Sequence, residues 1–166
     1  SIVIDVGAGT GTIGIECATY LTSGKVIGIE KEEKGLDTIR ENVKKFNLTN
    51  YELIHGRAPE NIPNIAYDRM FVGGSTGSMR NILEHFIKYS TIDARLVINT
   101  ITLESLNDIM SLLKEYAFKD VEVVNMVVSR GKKVGPYTMM YGENPIYIIT
   151  VETVSYTHLR AHETTL

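Results

Sequence analysis

The seven residues Asp5-Val6-Gly7-Ala8-Gly9-Thr10-Gly11 decide the fold. They follow a short β-branched run, residues 2–6, and open a stretch, residues 10–20, that carries Ile13, Cys17 and Tyr20 at helical spacing. Strand, glycine turn and helix in that order make the first half of a parallel β-α-β unit. Glycines at such a turn remove Cβ atoms, which lets the backbone bend tightly and come close to a ligand. A dinucleotide fingerprint, Gly-x-Gly-x-x-Gly, would place its third glycine at position 12. That position is Thr12, and the glycine arrives one residue early, at Gly11.

Outward from this loop the alternation continues. Residues 25–29 read as a second strand, and residues 33–46 as a helix with Leu36, Ile39, Val43 and Phe46 in one stripe. Residues 51–55 form a third strand and residues 67–72 a fourth, closed by Gly73 and Gly74. Residues 78–89 follow as a helix with Ile82, Leu83 and Phe86 inward. Residues 95–99 give a fifth strand and residues 103–116 a helix carrying Leu106, Ile109 and Leu113. Two longer β runs, residues 121–128 and 137–151, close the pattern. The order predicts an α/β, Rossmann-like fold: a mostly parallel seven-stranded sheet with an antiparallel edge strand and helices on both faces. Glu30 ends the second strand about 20 residues past the loop, where a carboxylate accepts hydrogen bonds from both hydroxyls of a ribose. A dinucleotide enzyme would use the same acid, so Glu30 points to a ribose without naming the cofactor.

Composition sets the limits. The 166 residues, 43% apolar and 22% charged, suffice for one domain with a real core and do not suit a disordered chain. A net charge of −3 and a pI near 5.8 argue against a general nucleic-acid binder. The single cysteine, Cys17, excludes an intramolecular disulfide and suits a cytoplasmic protein. No apolar run approaches the roughly 20 residues of a membrane span. The sequence opens inside an apolar run without Met, so an upstream segment is expected. From Val154 onward, Val-Ser-Tyr-Thr-His-Leu-Arg-Ala-His-Glu-Thr resembles one reading frame of a transposase-type sequencing adapter, as in a metagenomic fragment. The domain is therefore set at residues 1–153. His158 and His162, four apart, are read as part of a non-native tail, residues 154–166, rather than as metal ligands. No protein metal site is expected.

The Asp-x-Gly-x-Gly-x-Gly spacing resembles the first motif of class I S-adenosyl-L-methionine (AdoMet) methyltransferases. More distal segments narrow the resemblance: Gly73-Gly74-Ser75, then Asn99-Thr100-Ile101-Thr102-Leu103-Glu104, then Ser129-Arg130-Gly131-Lys132-Lys133. In that order they resemble the decarboxylating precorrin C15-methyltransferases of cobalamin biosynthesis, over essentially all of residues 2–153. The resemblance implies AdoMet as cofactor, with contacts at Gly7, Ala8, Gly9, Thr10, Gly11, Glu30 and Ala58. Arg57 stands where the family usually has Asp. It implies a precorrin or cobalt-precorrin substrate, methylated at C15 and decarboxylated at the C12 acetate. It also implies a homo-oligomer, by family a tetramer, and a possible C5-methyltransferase partner or fused domain.

A macrocycle fringed with acetate and propionate arms calls for an apolar slot and cations, with Arg preferred for bidentate pairing. Arg130, Lys132 and Lys133, in a predicted glycine-containing loop, and Arg80, near the start of a helix, are the candidates, beside Gly73, Gly74 and Ser75. No Ser/His/Asp set and no cysteine nucleophile stands out, and no residue is assigned as catalytic. His55 and His85 read as structural or surface residues, and Met139-Met140 as sheet packing. Three other readings stay open: an AdoMet-dependent tRNA methyltransferase, a non-catalytic AdoMet-binding module, and an NAD-linked oxidoreductase.

Overall fold

The apolar runs of the sequence become the middle strands of one sheet, because a strand flanked on both sides and covered on both faces buries every side chain it carries. The computed structural model describes residues 1–73 and 78–153. Its elements in chain order are β1 (Ile2–Val6), α1 (Thr12–Tyr20), β2 (Lys25–Glu30), α2 (Glu33–Lys45), β3 (Tyr51–His55), β4 (Tyr67–Val72), α3 (Met79–Tyr89), β5 (Ser90–Thr100), α4 (Leu103–Leu113), β6 (Lys119–Met126), β7 (Ser129–Val134), β8 (Tyr137–Gly142) and β9 (Ile146–Glu152). Seven strands form one sheet in the order β3-β2-β1-β4-β5-β9-β6, and β7 pairs with β8 in a separate ribbon.

Strands β1 to β5 are parallel, as expected from the alternation. The antiparallel strand is β9, inserted between β5 and β6, so it lies one place in from the edge. Alternation along the strands divides the core. Val3 and Val26 pack with Ala18 of α1. Their neighbours Ile4, Val6, Ile27 and Ile29 join Ile82, Leu83 and Phe86 of α3 and Ile109 and Leu113 of α4. Helices thus cover both faces.

Several local expectations are corrected. Helix α1 begins at Thr12 rather than at residue 10, because Gly11 holds the left-handed conformation before it. Its buried face is Gly14, Ile15 and Ala18, whereas Ile13 and Tyr20 are exposed. In α2 the stripe is buried at Leu36 and Ile39, but Phe46 lies past the helix end and is exposed. Strand β5 extends upstream to Ser90, and α4 stops at Leu113. The expected loop carrying Arg130, Lys132 and Lys133 is strand β7, and the long β run 137–151 is two strands, β8 and β9. Met139 and Met140 are exposed on that ribbon rather than packed. Every residue from 119 to 145 is exposed.

Gly74, Ser75 and the tail 154–166, with His158 and His162, lie outside the described residues. Among the described residues, no helix is long and apolar enough to cross a membrane.

Candidate active site

The strand order reverses between β1 and β4, and in open α/β sheets ligands settle in the crevice beyond the carboxyl ends of the strands at such a point. The glycine loop stands there. Its start is pinned to the strands on either side: Gly7 and Ala8 N–H both donate to Ile29 O (3.0 and 3.1 Å), and Gly73 N–H donates to Val6 O (3.1 Å). Gly9 and Gly11 have φ of 59° and 79°, where a Cβ is strained. The two glycines serve different ends. A Cβ at Gly11 would strike Ile39 Cγ1 at 2.9 Å, so this glycine lets α2 close on the loop. A Cβ at Gly9 would meet only Gly7 O, at 3.8 Å, so its other side is open space for a ligand.

Two acids organise the loop from below. Asp5 is buried at the end of β1 and accepts from Gly14 N–H at 3.1 Å, tying the sheet to the first turns of α1. Burial pushes its carboxyl up to about 6; the Gly14 amide opposes this and the nearby Glu30 charge adds to it. Glu30 is buried at the end of β2. Its Oε2 accepts from Gly9 N–H at 2.6 Å, and its Oε1 accepts from Lys31 and Glu32 N–H at 3.0 and 2.9 Å. A carboxylate oxygen takes two donors, so Oε2 retains a lone pair for a hydroxyl. A cradle open above Gly9 with a held carboxylate beside it fits a ribose-bearing ligand.

Gly35, in the first turn of α2, belongs to the same cradle and escaped the sequence reading. A Cβ there would lie 2.8 Å from Gly9 O and 3.0 Å from Glu30 Cγ. Its signal in the sequence is only a glycine inside a helix, a choice that costs stability unless something packs close.

The other expected residues fall into two groups. The structure brings Gly73 beside the loop, where a Cβ would sit 3.8 Å from Gly7 O. It places Ala58 beyond the end of β3, whose His55 pairs with Glu30, and Gly56 N–H donates to Glu30 O at 3.0 Å. Ala58 packs against the main core cluster, while Arg57 N–H is held by Asn61 Oδ1 at 2.8 Å. Arg80, Arg130, Lys132 and Lys133 do not meet at one point with free heads. Arg80 forks onto Glu115, with Nη1–Oε2 of 2.6 Å and Nη2–Oε1 of 3.1 Å. Arg130 pairs with Glu143, and Lys132 lies 5.3 Å from the Tyr141 ring centre. On a strand, Arg130 and Lys132 share one face and Lys133 takes the other. The ribbon nonetheless leaves the sheet between the carboxyl end of β6 and the start of β9, the same edge that holds the crevice.

Of the histidines, His55 is on the surface, with Nε2 3.1 Å from Lys31 O, and His85 Nδ1 is paired with the buried Tyr67 hydroxyl at 3.0 Å. Burial lowers the His85 pKa and raises that of Tyr67. His55 stands at the carboxyl end of β3 next to Glu30, and His85 lies on α3 against Tyr67 of β4.

A cavity of about 920 Å³ opens at the carboxyl end of β5. Asn99, Thr100 and Thr102 line its base, Arg80 of α3 and Glu115 flank it, and Ile146 at the foot of the ribbon closes one side. Its size lies within the usual range for sites that take ligands of several hundred daltons. Cofactor cradle and cavity lie along the same edge of the sheet, which suits transfer of a group from one ligand to another.

The family whose description is "Precorrin methyltransferase domain" matches residues 1–153. The probable cobalt-precorrin-6B C(15)-methyltransferase (decarboxylating) of Saccharolobus solfataricus is 36% identical over 154 residues, covering 90% of this chain and 77% of that protein. The crystal structure of precorrin-6y C5,15-methyltransferase from Geobacter metallireducens superimposes with a TM-score of 0.83 at 31% identity, over 92% of this chain and 80% of that one. The precorrin 8w decarboxylase of Methanobacterium thermoautotrophicum gives a TM-score of 0.81 at 30% identity, over 92% and 81%.

Proposed function

The chain belongs to the precorrin methyltransferase family, and from that membership we propose that it methylates C15 of a precorrin or cobalt-precorrin and releases the C12 acetate carboxyl as carbon dioxide, a step of cobalamin biosynthesis. The observation that carries this reading is that the family match takes in the glycine loop, the cavity and the ribbon together. AdoMet, when bound, supplies a methyl group on a sulfonium, a leaving group that asks nothing of an acid.

The residues then divide the work of holding. Gly7, Ala8, Gly9, Thr10 and Gly11 receive the cofactor, Glu30 accepts one ribose hydroxyl on the free lone pair of Oε2, and Ala58 borders its base. Gly73, Gly74 and Ser75 border the macrocycle. Arg80, Arg130, Lys132 and Lys133 take its carboxylate arms; Arg130 first has to release Glu143. Methyl transfer to an electron-rich ring carbon depends on in-line alignment more than on a strong base. The electron-accepting macrocycle carries the decarboxylation, and the protein orients the arm.

The exposed apolar arm, with Val123, Met126, Tyr137 and Met140 all uncovered, supports a homo-oligomer, and the family resemblance a tetramer. A cytoplasmic location and a C5-methyltransferase partner or fused domain complete the reading.

Product mass after incubation with AdoMet and the precorrin tests it. Methylation adds about 14 Da and loss of carbon dioxide removes about 44 Da, so a shift near −30 Da is expected from the coupled chemistry. A gain of about 14 Da alone would remove the decarboxylation from the reading, and an unchanged mass would overturn it.

A further inference from the structure

We propose that Glu115 is a built-in stand-in for a carboxylate arm of the ligand: it holds the Arg80 guanidinium in the cavity beyond β5 and yields it by exchange when an arm arrives. This rests on the reading of the substrate as a polycarboxylate macrocycle.

The geometry is the first support. Two parallel N–H···O bonds, at 2.6 and 3.1 Å, are the arrangement a ligand carboxylate would take on the same guanidinium. Exposure is the second. Both side chains are about half exposed, at 50% and 51%. A pair so placed is screened by water, so trading one carboxylate for another changes little in free energy. Arg80 holds the Glu115 carboxyl below the usual carboxylate range, which keeps it an anionic competitor at neutral pH.

Charge in the cavity gives the exchange its purpose. Among the described lining residues, the charges are one cation, Arg80, and two carboxylates, Asp108 and Glu115. With Glu115 in place an incoming anion meets a negative wall. With Glu115 turned to solvent the wall is neutral and its cation is exposed. A ligand without a carboxylate to offer Arg80 has no means of displacing Glu115, so the pair selects for acidic arms.

The fold permits the movement. Glu115 lies two residues past the end of α4, where its N–H still donates to Leu112 O at 3.0 Å, so the exchange asks only for rotation of its half-exposed side chain. The same stretch stays tied to α3 by Tyr116, whose hydroxyl donates to Glu84 at 3.3 Å. Asn99 supplies a second polar point in the cavity, since its enclosed Oδ1 has no partner among the described residues.

The test uses the full chain with Glu115→Gln, Arg80→Gln and the double variant, titrated with the octacarboxylated porphyrin uroporphyrin III by fluorescence quenching. Melting temperatures are recorded alongside, and KM for the precorrin is measured on each variant. Glu115→Gln is expected to tighten porphyrin binding about two- to fivefold and to lower KM in parallel. Arg80→Gln should weaken binding roughly tenfold or more. In the Arg80→Gln background the second change should have no further effect, because Glu115 acts only through Arg80. A plain strut between helices gives a different result: both single variants melt lower and neither binds more tightly, which overturns the exchange. A chain that methylates the precorrin with the same KM in wild type and Glu115→Gln also overturns it, and leaves the proposed reaction standing. Tighter, Arg80-dependent porphyrin binding by Glu115→Gln without precorrin turnover supports the exchange and overturns the reaction instead.

Discussion

Around β1, β2 and α2 the chain packs tightly against its own glycines, whereas from 119 to 145 every residue is exposed. At the loop, Gly11, Gly14 and Gly35 leave room for Ile39, Asp5 and Gly9 O within 2.6 to 2.9 Å of where a Cβ would be. The Glu30 carboxylate there takes three backbone amides. In the arm, β6 runs along the sheet edge with both faces uncovered, and β7 and β8 extend as a two-stranded ribbon whose apolar side chains face solvent. An isolated two-stranded ribbon is marginal in water, and an uncovered edge strand invites pairing. The first region is complete within one chain. The second leaves apolar side chains exposed, a surface that the proposed homo-oligomer would cover.

That contrast can be broken at the loop. Gly9→Val adds a branched side chain at φ 59° and fills the open side of the cradle. It is expected to abolish AdoMet binding, by more than about a hundredfold in calorimetric titration, through strain and direct obstruction together. A variant that binds normally would remove Gly9 from the cofactor site.

Asp5 gives the next largest effect, on stability. Its folded-state pKa of about 6 lies above the unfolded value of 3.8, so the folded chain holds a proton that the unfolded chain has released between these values. This contribution to stability is therefore fully present below about pH 4 and is lost as pH rises through 6, a difference of about 3 kcal/mol. Asp5→Asn should be the more stable protein at pH 8, with the advantage disappearing by pH 4 in urea titrations. An advantage independent of pH would mean the carboxyl titrates normally.

Glu30→Ala removes the acceptor for the ribose and for three amides at once. A loss of about 1–3 kcal/mol in AdoMet affinity is expected, as for a hydrogen bond to a charged group. An unchanged affinity would leave Glu30 as a loop anchor only.

The smallest effect on the cofactor sharpens the contrast from the other side. Met140→Asp places a charge on the exposed ribbon and should shift the assembly to smaller species by light scattering. AdoMet affinity should stay within about twofold, since independent sites add. A large loss of affinity would show the two regions to be one unit.

Legibility in the sequence follows the same division. The strands β1 to β4 and the helices α2 and α3 were readable because β-branched runs and i, i+3, i+4 stripes record which face is buried. The tight turn after β1 is legible because its glycines stand where φ is positive and, at Gly11, where a Cβ would collide. Helix α1 is misleading, since Gly14 and Ala18 carry little hydrophobic signal yet are buried against the sheet, while Ile13 and Tyr20 carry it and are exposed. Strand β7 carries no strand signal in the sequence because Ser-Arg-Gly-Lys-Lys-Val has no buried face, and so no alternation to display. Glu115 was invisible for another reason: its partner is 35 residues away, and nothing local marks the pair.

The placement of β9 has a consequence for synthesis. The parallel part of the sheet is all present once β5 has emerged at Thr100, but the outer side of β5 pairs only with β9, which ends at Glu152. At roughly 5–20 residues per second, the intervening chain takes about 3–10 s to leave the ribosome. For that interval a long apolar strand offers an open edge to any neighbouring nascent chain. Leu96, Ile98 and their neighbours are then the segment on which a holding chaperone would act, and slowing translation past β5 should raise aggregation more than slowing it anywhere earlier.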